Sequence, residues 1–203
     1  MNRLYGEHPV FIFDPKDKRN RPLRGYQDNA LIYWDLYPKE LKDLFTKSFT
    51  IGLREPAKRV TENKWLETFA NMMSCVMVCS NCGAETFYDA TKEHFGAVHT
   101  CWGCDNTLKV PSKIVIDKNV VLITEKANLY SHHINNDFDM NTIVGEVVVN
   151  PKNSALWGIR NLTKTNWTYI QGDGTQIPVA PGKAASIVKK AKIDFGNSVS
   201  EFR

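Results

Sequence analysis

The sequence predicts an α+β, multidomain chain, on three observations. Apolar residues recur at helical spacing in the first segment, about residues 1–73. Two Cys-x-x-Cys pairs lie in the second, about 74–113, and short Val- and Ile-rich runs separated by turn signals fill the third, about 114–203. A 42% hydrophobic fraction with 24% charged residues belongs to a folded globular chain, not a disordered one. The net charge of +4 is too mild to argue for nucleic acid. No run approaches the roughly 18 apolar residues of a membrane helix, and MNRLYGEHPVFIF lacks the apolar centre of a secretory signal. A cytoplasmic location is therefore expected, where paired cysteines serve metal or redox chemistry more often than disulfides.

The first segment opens with HPVFIFDPKDKRNRPLRGYQDN, in which Pro9, Pro15, Pro22 and Gly25 forbid a long helix. In YPKELKDLFTKSFTIGL, Pro38 suits a first helical turn, and Leu41, Leu44, Phe45, Ser48 and Phe49 follow helical spacing. Gly52 reads as its C-terminal stop. Thr61 is positioned to cap a helix TENKWLETFANMM with Trp65, Leu66, Phe69 and Met72 or Met73 on one face. The basic stretch Lys16, Lys18, Arg19, Arg21 and Arg24 reads as a solvated loop or a docking site for an acidic protein.

The second segment carries the most specific signal, Cys79-x2-Cys82-x18-Cys101-x2-Cys104. Each pair offers two sulfurs from a tight turn, with Gly83 and Gly103 permitting unusual backbone angles. Four thiolates fill a tetrahedral zinc shell and leave no open position, so the expected cofactor is one structural zinc ion held in a zinc ribbon. A thioredoxin-like redox pair would need a helix start in a βαβ setting, which neither pair has. A segment this short buries too little apolar surface to fold alone, so the metal would supply its folding free energy. Cys75 reads as a packed thiol, and His94 and His99 as ordinary hairpin histidines.

In the third segment KIVID, NVVLIT, TIVGEVVVN, WGIRNL, WTYIQ, QIPVA and ASIVKKAKIDF read as strands, divided by DKN, NPKN and GDG. Their spacing predicts an antiparallel sandwich or barrel. Trp157 and Trp167 are candidate binding anchors, although strand context favours core packing for at least one. His132-His133 with Asp137 and Asp139 reads as a solvated loop, since no third ligand converges on it for a second metal.

The stretch LFTKSFTIGLREPAKRVTENKWL resembles the end of a protein kinase C-lobe, whose closing turn is matched here by Glu55-Pro56-Ala57-Lys58-Arg59-Val60-Thr61 with Glu for the usual Asp. With LYGEHPVFIFDPKDKRNRP, it is similar to a bacterial Ser/Thr kinase-like group in which a zinc ribbon and a β-rich tail follow the lobe. The resemblance spans about residues 1–110 and implies protein partners, a von Willebrand A protein of the tellurite-resistance type and a PPM-type phosphatase. The chain has no glycine-rich loop, no strand lysine of the Val-Ala-x-Lys kind and no His-Arg-Asp loop. Asp137-Phe138-Asp139 lies on the wrong side of the lobe-like part to serve as Asp-Phe-Gly. No catalytic residue is assigned, and the chain is either the C-terminal part of a longer kinase or a natural remnant. Arg59, lacking the kinase's glutamate partner, is expected to be exposed or paired with Glu55 or Glu62.

The tail from WGIRNL to the C-terminus resembles a forkhead-associated sandwich. Such domains read phosphothreonine with Arg and Ser, but Gly145-Glu146 stands where Gly-Arg would open the motif, and no Ser-Arg-x-x-His follows between Asn150 and Trp157. Docking without phosphopeptide reading is expected, with Arg160, Lys164 and Trp167 as candidate partner-binding residues. These features predict a non-catalytic regulatory or interaction region of a kinase-like protein. The alternative is a zinc ribbon that binds nucleic acid.

Overall fold

The computed structural model describes residues 6–89, 99–125 and 127–203. The chain forms two compact units, Met1–Lys109 and Val110–Arg203. The expected helical and cysteine segments therefore share one unit, and the β-rich unit starts four residues before position 114.

In the first unit, turns precede residue 28, and among the described residues four α-helices follow, α1 (Asp28–Leu36), α2 (Lys39–Phe49), α3 (Ile51–Arg54) and α4 (Glu62–Met73), with a 3-10 turn at Pro56–Lys58. Helix α1 was not expected from the sequence; it buries no residue, so its apolar side chains carry no strong periodic signal. Pro38 immediately precedes α2, where its fixed φ costs nothing. Gly52 is not the stop read from the sequence. The break falls at Thr50, and Gly52 lies buried within α3, where an added Cβ would meet Lys47 O at 3.1 Å and Arg59 Cγ at 3.3 Å. Arg59 is exposed and donates from Nε to Gly52 O at 2.9 Å.

Leu41 and Leu44 of α2 are buried, as their spacing requires. Helix α4 departs from expectation: Thr68 and Met72 face inward, while Leu66, Phe69 and Met73 are exposed. Aromatic rings provide much of the packing, with Phe13 stacked on Trp34 at 4.2 Å and Phe45 edge-on to Trp65 at 5.0 Å. Two small hairpins complete the unit, β1 (Val76–Val78) with β2 (Glu85–Phe87) and β3 (His99–Thr100) with β4 (Thr107–Leu108). Asp89, buried just beyond β2, accepts the backbone N–H of Lys39 at 2.9 Å. A carboxylate 50 residues away thus satisfies an orphan donor at the start of α2 and ties the hairpins to the helices.

Among the described residues the second unit contains ten strands: β5 (Lys113–Ile116), β6 (Asn119–Leu122), β7 (Asn128–Tyr130), β8 (Ile143–Asn150), β9 (Asn153–Asn161), β10 (Trp167–Ile170), β11 (Gln176–Val179), β12 (Ala184–Ser186), β13 (Lys192–Asp194) and β14 (Val199–Phe202). A short helix, α5 (Ser131–Asn135), follows β7. The strands form an antiparallel six-stranded sheet, β11-β10-β13-β14-β5-β6, and an antiparallel four-stranded sheet, β12-β9-β8-β7. Alternating residues of both, including Ile114, Ile116, Ile159, Trp167, Ile193 and Phe202, enclose one core, so the sheets form a sandwich. The run ASIVKKAKIDF is two strands in different sheets, turned at Lys190, whose φ of 71° is left-handed.

Asn161, fully buried at the end of β9, anchors the following loop. Its Nδ2 donates to Thr165 O at 2.8 Å and Val179 O at 2.9 Å, and its Oδ1 accepts from Thr163 N and Oγ1. Such a buried amide stays only because its hydrogen-bonding capacity is met.

Candidate metal centre

Each Cys-x-x-Cys pair occupies the turn of one small hairpin, and the two turns share a hydrogen-bond pattern. Cys79 N donates to Ala84 O at 2.9 Å and Gly83 N returns to Cys79 O at 2.9 Å. In the second, Cys101 N donates to Asn106 O at 2.8 Å and Asp105 N to Cys101 O at 2.9 Å. The residue after the second cysteine is left-handed in both, Gly83 at φ 75° and Asp105 at φ 56°. Gly103 is therefore not the conformational partner of Gly83 that the sequence suggested; Asp105 holds that place. Gly103 contributes instead its backbone N–H, 3.4 Å from Cys101 Sγ.

The ligand atoms of Cys79, Cys82, Cys101 and Cys104 all lie within 4.8 Å of one another. Cys79 and Cys104 sulfurs are 3.7 Å apart, and those of Cys82 and Cys101 3.5 Å. Thiolates about 2.3 Å from a central ion occupy a tetrahedron with edges of about 3.8 Å, so the cluster has the dimensions of a metal site. Cys79 and Cys101 are buried and Cys82 is exposed. Among the described residues no histidine joins the cluster: the His99 ring packs 6.1 Å from Tyr88, and His94 lies outside the described residues. Cys75 is buried beyond α4, away from the four.

The electrostatics fit a cation. The Cys79 thiol is lowered to about 6, first by the backbone N–H groups of Cys82 and Asn81. Asn81 Nδ2, 3.4 Å from Cys104 Sγ, leads the lowering of Cys104. Cys82 is pulled down by the Ala84 amide, but the thiols of Cys104 and Cys101 together with burial outweigh it and push Cys82 up to about 12. Neighbouring sulfurs cannot all ionise at this spacing, and a bound divalent ion removes that conflict. Asn81 and Asp105 were missed from the sequence, although the residues flanking each cysteine pair are where N–H···S donors and left-handed turns arise.

Gly83→Ala is expected to weaken metal binding and hairpin stability by about 1–2 kcal/mol, because a Cβ is strained at positive φ. The same change at Gly103 meets only ordinary contacts, the nearest being Ala84 Cβ at 3.4 Å, and should be tolerated. Competitive metal titration of the two variants measures the difference.

Among the described residues the four cysteines are the one cluster of potential metal ligands. Arg160 is paired with Glu146, Nη1 to Oε1 at 2.7 Å, and Lys164 is exposed on the β9–β10 loop. Trp167 is 1% exposed in the sandwich core, so its ring is not presented as a binding anchor; Trp157 is half-buried and donates from Nε1 to Ser154 O. In the basic stretch, Arg19 pairs with Asp17 at 2.6 Å and Arg21 donates to Asp14 O, which uses both in the local turn. His132 and His133 are buried in α5, not solvated as expected. Asp137 accepts from Ser131 Oγ, and Asp139 from the N–H groups of Asn141 and Thr142, so both brace their own loop. No helix among the described residues is long and apolar enough to cross a membrane. Comparison with family models, curated proteins and solved structures finds no match.

Proposed function

We propose that the chain is a non-catalytic regulatory and protein-interaction region of a bacterial Ser/Thr kinase-like protein, containing a structural zinc ribbon and a β-sandwich used for docking. The observation that carries the metal reading is the gathering of four sulfurs within 4.8 Å of one another, two of the pairs at 3.7 and 3.5 Å. Four thiolates suit zinc and leave no coordination position for water or substrate, which makes the metal a folding element. The docking reading is supported by the two-sheet sandwich, and the engagement of Arg160 by Glu146 argues against phosphopeptide reading by that cation. By resemblance, the partners are a von Willebrand A protein of the tellurite-resistance type and a PPM-type phosphatase.

Elemental analysis with thiol counting tests the metal half: about one zinc per chain is expected for a four-thiolate site. Two disulfides and no zinc would overturn it. Capture of either partner by the full chain tests the other half. Strong, salt-sensitive binding to nucleic acid without partner capture would replace docking by the nucleic-acid alternative.

A further inference from the structure

Helix α5 carries a buried histidine pair whose rings the fold holds in the uncharged form. His133 is fully buried, His132 is 8% exposed, and their ring centroids lie 3.9 Å apart. His133 Nδ1 accepts the backbone N–H of Tyr130 at 3.0 Å. That bond requires a lone pair on Nδ1, and a protonated ring would set one donor against another. His132 Nδ1 lies 3.3 Å from Asp139 O, while its Nε2 is buried with no hydrogen-bond partner among the described residues. The helix is pinned by Asn119 Nδ2 to His133 O at 3.2 Å, Ser198 Oγ to Ile134 O at 2.9 Å, and Asn197 Nδ2 to Asn135 Oδ1 at 2.9 Å.

We infer that α5 is an acid-released catch: protonation of the His132–His133 pair frees residues 131–142 from the sandwich while both sheets remain paired. The groups around the pair set the order of events. Asp137 and Asp139 on the following loop favour a charge at His132, and that charge then opposes one at His133. The Tyr130 ring lies 6.0 Å from His132 and 5.9 Å from His133. Asn119 from β6, and Asn197 and Ser198 from the β13–β14 turn, add only neutral groups. Asp117 accepts from Asn136 at the end of the helix. Burial holds His132 below its ordinary value and His133 at about 3.

Both histidines are depressed relative to an unfolded value of about 6.5, so the closed catch is fully stable above that pH and weakens as pH falls toward 3. Release stays local because the bonds at stake belong to α5, whereas the β8–β9 and β10–β13 ladders do not use the pair.

Amide hydrogen exchange on the full chain, corrected for intrinsic rates, tests this at about pH 7 and about pH 4.5. Amides of residues 131–135 should lose about tenfold or more protection beyond any change in β9 and β10. His133→Asn keeps an acceptor oxygen without a titrating ring and should reduce the extra loss severalfold, and His132→Gln should reduce it too, each leaving one titrating ring. Wild-type α5 that stays protected in acid, or that loses protection only in step with the strands, would overturn the inference. If His133→Asn does not fold, the wild-type profile and His132→Gln decide it.

Discussion

Cys101→Ala, or removal of the metal by a chelator, is expected to unfold both cysteine hairpins of the first unit. Their own resources are small: β1–β2 has three registered pairs, β3–β4 two, and the buried cluster is Cys79, Cys101 and Leu108 with Ala84 and Cys104 packed on it. A structural zinc site supplies about 10–16 kcal/mol of apparent binding free energy, far more than this cluster provides. Trp102 gives the readout, because its Nε1 is fixed to Glu85 O at 2.9 Å across the two hairpins. Its emission should shift toward that of a solvated indole, and near-UV dichroism should weaken, while helices α2 and α4 keep their far-UV signal. Unchanged spectra after complete chelation would show that the hairpins stand without metal.

Trp167→Ala should lower the stability of the second unit by about 3–5 kcal/mol, the range for emptying a fully buried aromatic site. The indole is edge-on to Phe195 at 4.9 Å and covers Gly145 so closely that a Cβ there would lie 3.0 Å from Cη2. Urea denaturation should show a lower midpoint with little change in slope. Lys164→Ala, on the exposed neighbouring loop, should stay within about 0.5 kcal/mol of wild type. Partner binding lost in Trp167→Ala at full stability would restore the ring as an anchor; binding lost together with stability reports only the core.

The four-cysteine cluster was legible because its information is local. Ligand type, two-residue spacing and turn residues are enough to bring each sulfur pair together, and only the flanking contributions of Asn81 and Asp105 needed the fold. Short Val- and Ile-rich runs between turn signals likewise marked β5, β6 and β8–β11. Strands β7 (NLY) and β14 (VSEF) hold one Val and no Ile between them, too little of that signal to stand out. His132 and His133 were misread because a polar run beside acidic residues looks solvated, while their burial depends on Asn119 and Ser198, distant in the chain. In α4, Leu66, Phe69 and Met73 fit the helical period yet remain exposed. Periodicity identifies an apolar face without saying which part of it the rest of the unit covers.

The placement of β14 has a consequence for the order in which the second unit can assemble. It lies between β13 and β5 in the six-stranded sheet, with Ser200 opposite Ile116 and Phe202 opposite Ile114. During synthesis the β5–β6 hairpin is made early, yet its inner edge has no neighbour until residues 199–202 leave the ribosome. Closing that gap joins positions more than eighty residues apart in sequence, Ile116 and Ser200 among them. Such non-local pairing is entropically slow and leaves a strand edge open in the meantime. The sandwich therefore completes only after translation of β14, and until then the nascent chain leaves the β14-facing edge of β5 open.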